Sequence, residues 1–125
     1  MLRSRLEAEP SIVAAWLFGS MARGSATRSS DIDVAILQSG PAPRTLADLP
    51  LDLQAELSSA MGREVQIVLL ASAPPDLIHR VLRDGELLVE RDRAARVRFE
   101  VEARNRYFDM QPIWREYRRS RGSAA

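Results

Sequence analysis

Three apolar runs stand out in the N-terminal two thirds of the chain. They occupy residues 11–18, 31–38 and 64–70, and each contains valine, isoleucine and leucine. Runs of this length, bounded by glycine, proline, serine or aspartate, are typical of buried strands. Residues 86–90 follow an Asp-Gly pair and predict a fourth, short strand at an edge of the sheet.

Segments with helical spacing alternate with these runs. A short amphipathic helix is predicted before Pro10, and residues 21–26 are predicted to open another. Residues 39–44 contain one glycine and two prolines and predict a loop. Residues 48–61 and 74–84 each place apolar side chains on one helical face, and the second of these segments begins with two prolines. The alternation predicts a single α/β domain.

The C-terminal segment differs from the rest of the chain in charge. Residues 1–90 contain 8 arginines against 12 acidic residues, whereas residues 91–125 contain 10 arginines against 5. Residues 91–109 have a charged helical pattern, which Pro112 is predicted to break. The predicted inward positions of this helix are Ala94, Val97, Val101 and Phe108. We expect residues 1–90 to form the core and residues 91–125 an arginine-rich helical extension of the same domain.

The composition of the chain excludes several classes of protein and of metal site. The 125 residues suffice for one domain, and 46% hydrophobic with 28% charged residues is typical of a globular protein. The chain has no cysteine and only one histidine, His79, which excludes a disulfide framework and a cysteine- or histidine-rich metal site. The charged N-terminus does not resemble a signal peptide, and no run is long enough to span a membrane. We therefore expect a cytoplasmic protein.

Two polar motifs adjoin the first two apolar runs. Gly19 and Ser20 follow the first run, where free backbone N–H groups can face an anion. Asp31 and Asp33 open the second run at alternate positions and so share a face of the strand. Their neighbours on the core face are predicted to be Ile32, Val34 and Ile36. Two adjacent carboxylates repel unless a cation lies between them, and oxygen ligands suit Mg²⁺ held jointly with phosphates.

These motifs together resemble those of the minimal nucleotidyltransferases of the polymerase-beta-like superfamily. The family's hallmark is Gly-Ser, ten residues, then Asp-x-Asp, and the matching residues here are Gly19-Ser20, Arg23-Gly24 and Ser30-Asp31-Ile32-Asp33. The third strand, the Pro-Pro helix and the Asp84-Gly85 segment also follow in the family's order, so that the resemblance covers roughly residues 8–117. It implies a polymerase-beta-like fold, a small mixed sheet flanked by helices with a charged C-terminal helix.

Within this family the chain looks most like the short prokaryotic antitoxins that are paired with HEPN-domain toxins. The resemblance implies transfer of AMP from ATP to a tyrosine hydroxyl of the HEPN partner, which silences the partner's RNase activity. It assigns triphosphate binding to Gly19 and Ser20, and neutralisation of phosphate charge to Arg23. It assigns catalysis and the binding of two Mg²⁺ ions to Asp31 and Asp33.

The chain departs from the family at its third strand. A third carboxylate is expected in a stretch resembling Val-Asp-Val-Val-x-Leu, and Gln66 occupies that position here. An amide oxygen can ligate a metal but cannot accept the proton of an incoming hydroxyl. Glu64 is the nearest substitute, two residues earlier and about 6 to 7 Å further along the strand.

Three functions remain open from the sequence. The first is a protein adenylyltransferase that acts as an antitoxin. The second is a catalytically impaired, nucleotide-binding antitoxin that neutralises its toxin by direct binding, which Gln66 favours. The third is transfer to a small molecule. The C-terminal arginines, interleaved with aromatic residues, fit a solvated face, a nucleic acid or an acidic protein partner, of which the protein partner is favoured.

Overall fold

The computed structural model of the chain describes residues 2–19, 31–39 and 51–123. In chain order these form α1 (Leu2–Glu7), β1 (Ile12–Phe18), β2 (Ile32–Gln38), α2 (Leu51–Met61), β3 (Val65–Leu69), a short 3-10 turn (Leu70–Ser72), α3 (Pro75–Asp84), β4 (Glu86–Glu90) and α4 (Arg93–Ser123). The four predicted strands and the helices between them are confirmed to within a few residues. The predicted helix at 21–26 and the loop from residue 40 lie outside the described residues.

The four strands form one mixed sheet in the order β3-β2-β1-β4. β1 is antiparallel to both β2 and β4, whereas β2 and β3 are parallel and are joined through α2. A parallel pair requires such a crossover, because the chain must return to the same end of the sheet. β4 lies at an edge, as predicted, and the beginnings of β2 and β3 lie side by side with the end of β1.

Helices cover both faces of the sheet. Ile32, Val34 and Ile36 are buried in a cluster with Leu6 of α1 and Leu57 of α2, which confirms their predicted core positions. The alternate residues of β2 are buried as well: Ala35 and Leu37 belong to a second cluster with Ile78 and Val81 of α3 and Ala103 of α4. A strand buried on both faces has a continuous apolar run, because neither face contacts water. Asp33, near the start of β2, lies on the face of the sheet that packs against α3 and α4.

The face by which α4 packs differs from the prediction. Ala103 is buried, and Ala95 and Phe99 pack against the same cluster. The tyrosine ring of Tyr107 continues this line and stacks on His79 of α3, with the ring centroids 3.8 Å apart. The predicted inward residues are instead exposed: Ala94, Val97, Val101 and Phe108. The helix carries two apolar lines, and helical spacing alone does not determine which of them packs against the sheet.

The predicted break at Pro112 is also wrong. α4 continues through Pro112 to Ser123. A proline inside a helix removes one hydrogen bond and costs about 3 kcal/mol. The flanking arginine, glutamate and methionine residues favour helix, and the exposed proline ring avoids the core. Despite the length of α4, none of the described helices has the apolar stretch that a membrane crossing requires.

Candidate nucleotide and metal site

A cleft of about 400 Å³ lies where β1 ends and where β2 and β3 begin. The antiparallel pairing of β1 with β2 and the parallel pairing of β2 with β3 bring these three strand ends to one edge of the sheet. Helix α3 forms the opposite wall. The described residues that line the cleft are Phe18, Gly19, Asp33, Gln66 and Val68 from the sheet and Leu77, Arg80 and Asp84 from α3.

Gly19 and Asp33, which both line this cleft, are in close contact. Phe18 is the register partner of Asp33, so Gly19, which directly follows β1, lies next to the carboxylate. Gly19 has a φ of 75°, in the left-handed region that favours glycine. A Cβ at this position would lie only 2.5 Å from the Oδ2 atom of Asp33. Glycine is therefore required here by both the backbone angle and the approach to the carboxylate.

Asp31 and Asp33 place two negative charges at the start of β2, and Asp33 lines the cleft. Asp31 is exposed just before β2, and Asp33 is half-buried within the strand. Burial raises the pKa of the Asp33 carboxyl, and the charge of Asp31 raises it further. A cation between the two carboxylates would remove the repulsion, since it favours the ionised form of both. Their oxygen atoms are the ligands that Mg²⁺ accepts together with substrate phosphates.

Gln66 is the register neighbour of Asp33 on β3. Neighbouring strands are about 4.8 Å apart, so the Gln66 side chain stands where a third carboxylate would share a metal with Asp33. Glu64, the substitute considered from the sequence, is exposed before β3 and is not among the described residues that line the cleft. In the part of the chain that the structure describes, no three acidic, histidine or cysteine residues form a metal-binding group. Asp31, Asp33 and the amide oxygen of Gln66 therefore fit a partial magnesium site.

Sequence reasoning missed Arg80. Its exposed side chain lines the cleft from α3, and it has no ion pair with any residue that the structure describes. By contrast, the neighbouring Asp84 accepts two hydrogen bonds from the Arg83 guanidinium, at 2.9 and 2.8 Å. The separation of Arg80 from Asp33 in the sequence gives no indication that the two residues line the same cleft. Ser20 and Arg23 lie outside the described residues, so their roles remain predictions.

The sequence matches the family described as "Polymerase beta, Nucleotidyltransferase" over residues 1–94. The chain belongs to this family. The match includes the whole sheet and α3, and therefore every described residue of the cleft. The polymerase-beta-like fold predicted from the motifs is confirmed.

A curated protein is similar to the chain over 80 residues. It is the "Protein adenylyltransferase MntA" of Shewanella oneidensis, 36% identical over 80 residues. The match takes in 63% of this chain and 55% of that protein, so the chain spans little more than half the length of this relative.

Solved toxin-antitoxin structures have the same nucleotidyltransferase fold. A crystal structure described as a toxin-antitoxin with AMP-PNP superimposes with a TM-score of 0.80 at 24% identity, covering 96% of this chain and 98% of the other. A complex of a tri-AMPylated Shewanella oneidensis HEPN toxin with its MNT antitoxin has a TM-score of 0.72 at 23% identity, covering 96% and 98%. Coverage of this extent includes α4, which lies almost entirely beyond the stretch matched by the family.

Proposed function

We propose that this protein is the antitoxin of a toxin-antitoxin pair and transfers AMP from ATP to a tyrosine hydroxyl of a HEPN-domain toxin. In this reaction the tyrosine oxygen forms a bond with the α-phosphorus, the bond between the α- and β-phosphates breaks, pyrophosphate leaves and the hydroxyl loses its proton. The observation that carries the proposal is the contact of Gly19 with Asp33, two residues after Asp31, in the lining of a cleft in a chain of this family. The adenylyltransferase relative supports the choice of AMP.

The residues of the cleft have distinct roles in this proposal. Asp31 and Asp33 hold Mg²⁺, which when bound neutralises the charge on the phosphate oxygens. The turn at Gly19 brings backbone N–H groups to the triphosphate, a role that Ser20 and Arg23 are predicted to share. The remaining volume of the cleft accommodates the nucleotide. A cytoplasmic location stays a prediction.

Mass spectrometry of the toxin tests this proposal directly. The antitoxin is mixed with its HEPN-domain partner, ATP and Mg²⁺, and the intact partner is weighed before and after incubation. We expect the partner to gain the mass of one or more AMP groups on tyrosine and to lose RNase activity, with neither change in the presence of EDTA. Loss of RNase activity without a gain in mass would contradict AMP transfer.

Loss of RNase activity without a gain in mass would identify an antitoxin that acts by binding alone. The observation that favours it is the amide of Gln66 next to Asp33, because an amide cannot accept the hydroxyl proton. Under this alternative the cleft still binds nucleotide, and the RNase is inhibited equally with and without ATP.

Arg80 lines the cleft and is placed to donate a hydrogen bond to a phosphate of the bound nucleotide. We therefore expect Arg80→Ala to weaken binding of AMP-PNP with Mg²⁺ by about tenfold, because this charge-assisted hydrogen bond would be lost. Isothermal titration calorimetry measures the change in Kd. Arg98→Ala is the matched control: it also removes one arginine, but Arg98 is exposed on α4 and is not among the described residues that line the cleft. Equal weakening by both variants would show that Arg80 acts only through the overall positive charge of the protein.

A further inference from the structure

The outward face of α4 carries a line of apolar side chains, which we call the outer stripe. It consists of Val97, Val101 and Phe108, with exposed fractions of 41%, 47% and 54%. Spacings of four and seven residues keep them on one side of a helix, opposite the line that packs on the core. Among the described residues, these three are the large hydrophobic side chains that are exposed. Their concentration on one face indicates a contact surface rather than scattered exposure.

Arginines border the outer stripe. Arg104 lies on one side of it and Arg98 on the other, and both are exposed. Across residues 93–110, the ion pairs of the α4 arginines are those of Arg96, with Glu90 and Glu100. The surface therefore has an apolar centre bordered by two arginines that form no ion pair with a described residue, and the five arginines of residues 93–110 outnumber the three acidic residues there. Acidic side chains around an apolar centre would complement it.

We propose that the outer stripe is the docking surface for the HEPN-domain toxin, and that it receives an apolar face with an acidic border. This inference rests on the proposed function, because that function supplies the partner. The stretch matched by the nucleotidyltransferase family ends at residue 94, so the stripe is not part of the fold shared for nucleotidyl transfer. The toxin-antitoxin structure that covers 96% of the chain includes a counterpart of α4.

The charges and the side-chain types of the outer stripe argue against two other occupants, a second copy of this chain and a nucleic acid. In a symmetric pair of copies of this chain, the arginine border of one stripe would face that of the other, with like charges opposed. Binding of a nucleic acid would use the arginines and Phe108 but not Val97 and Val101, because bases stack on aromatic rings or arginine planes rather than on branched aliphatic side chains. A protein surface uses both features.

Substitution at the centre of the stripe tests the proposal. We expect Val101→Glu to weaken the complex with the cognate HEPN-domain protein by about 100-fold, since a charge would enter an apolar contact. Surface plasmon resonance measures the Kd without ATP, so that docking is separated from catalysis. Ala60→Glu is the matched control, because it adds the same charge at an exposed position of α2 on the opposite side of the sheet. Phe108→Glu provides a second variant, and circular dichroism verifies that all three are folded.

The other outcomes of this experiment separate a failure of the docking proposal from a failure of the proposed AMP transfer. Unchanged affinity for both stripe variants would overturn the docking proposal while leaving AMP transfer intact. A stripe-dependent complex without AMP transfer would support docking and contradict the proposed chemistry. Absence of any complex between the wild-type chain and the HEPN-domain protein would overturn both. Sedimentation that shows a dimer of the wild-type chain, lost in Val101→Glu, would assign the stripe to self-association and overturn the proposal.

Discussion

Replacing Asp33 with asparagine is expected to reduce AMP transfer by about a thousandfold or more. Asp33 lies between Phe18 of β1 and Gln66 of β3 in the sheet and contacts the turn at Gly19. Removal of its charge leaves Asp31 alone to hold Mg²⁺ at the phosphates. A metal that bridges carboxylate and phosphate oxygens stabilises charge that develops during transfer, so that its loss acts on the rate. The initial rate of AMP incorporation measures the effect.

The same substitution is expected to stabilise the fold slightly. Burial and the charge of Asp31 raise the pKa of Asp33, so the ionised carboxylate is less favourable in the folded than in the unfolded chain. Without metal, folding stability therefore falls as the pH rises from the unfolded value of 3.8 through the higher folded value. Asparagine removes this penalty, and at neutral pH the free energy of unfolding should rise by less than about 1 kcal/mol.

Asp52→Asn is the matched control for both measurements. Asp52 is exposed in the first turn of α2, on the other side of the sheet. It should leave AMP transfer unchanged. Mg²⁺ should raise the Tm of the wild type and of Asp52→Asn, but not that of Asp33→Asn. An Asp33→Asn variant that retains wild-type transfer would show that the metal is held elsewhere.

Replacing Gln66 with aspartate is expected to increase AMP transfer by about 10- to 100-fold. The new carboxylate would stand beside Asp33 on the neighbouring strand, where it can ligate the metal and accept the hydroxyl proton. It would also add a third negative charge to the site. The Tm without Mg²⁺ should therefore fall below that of the wild type, and the increase in Tm on addition of Mg²⁺ should become larger.

Glu64→Gln is measured in the same experiment, because Glu64 is the acidic residue nearest to Gln66 in the sequence. We expect it to have no effect on transfer, since Glu64 lies outside the described lining of the cleft. Equal, high rates in the wild type and Gln66→Asp would show that a third carboxylate is dispensable or comes from another residue. A wild type that transfers no AMP, with activity gained in Gln66→Asp, would identify Gln66 as the cause of an inactive site.

The local pattern of apolar and polar residues was sufficient to predict most helices and strands of the fold. β4 has the predicted bounds, β1 and β2 each begin one residue later than predicted, and β3 is one residue shorter at both ends. Apolar runs and the residues that stop them act over a few positions, which is the range that sequence reasoning covers. The pairing of Gly-Ser with Asp-x-Asp likewise indicated the nucleotidyltransferase family, and the close contact of Gly19 with Asp33 is consistent with it.

Only the tertiary structure decided the features that depend on contacts between distant segments. Arg80 reaches the cleft because α3 packs across β1, and no local pattern encodes that placement. The apolar positions of α4 form two lines, of which packing against α3 selects Ala95, Phe99 and Ala103 and leaves the outer stripe exposed. The sequence by itself determined the elements and the motif, because both are local. The choice of face and the composition of the cleft required the packing of helices on the sheet, which depends on the whole chain at once.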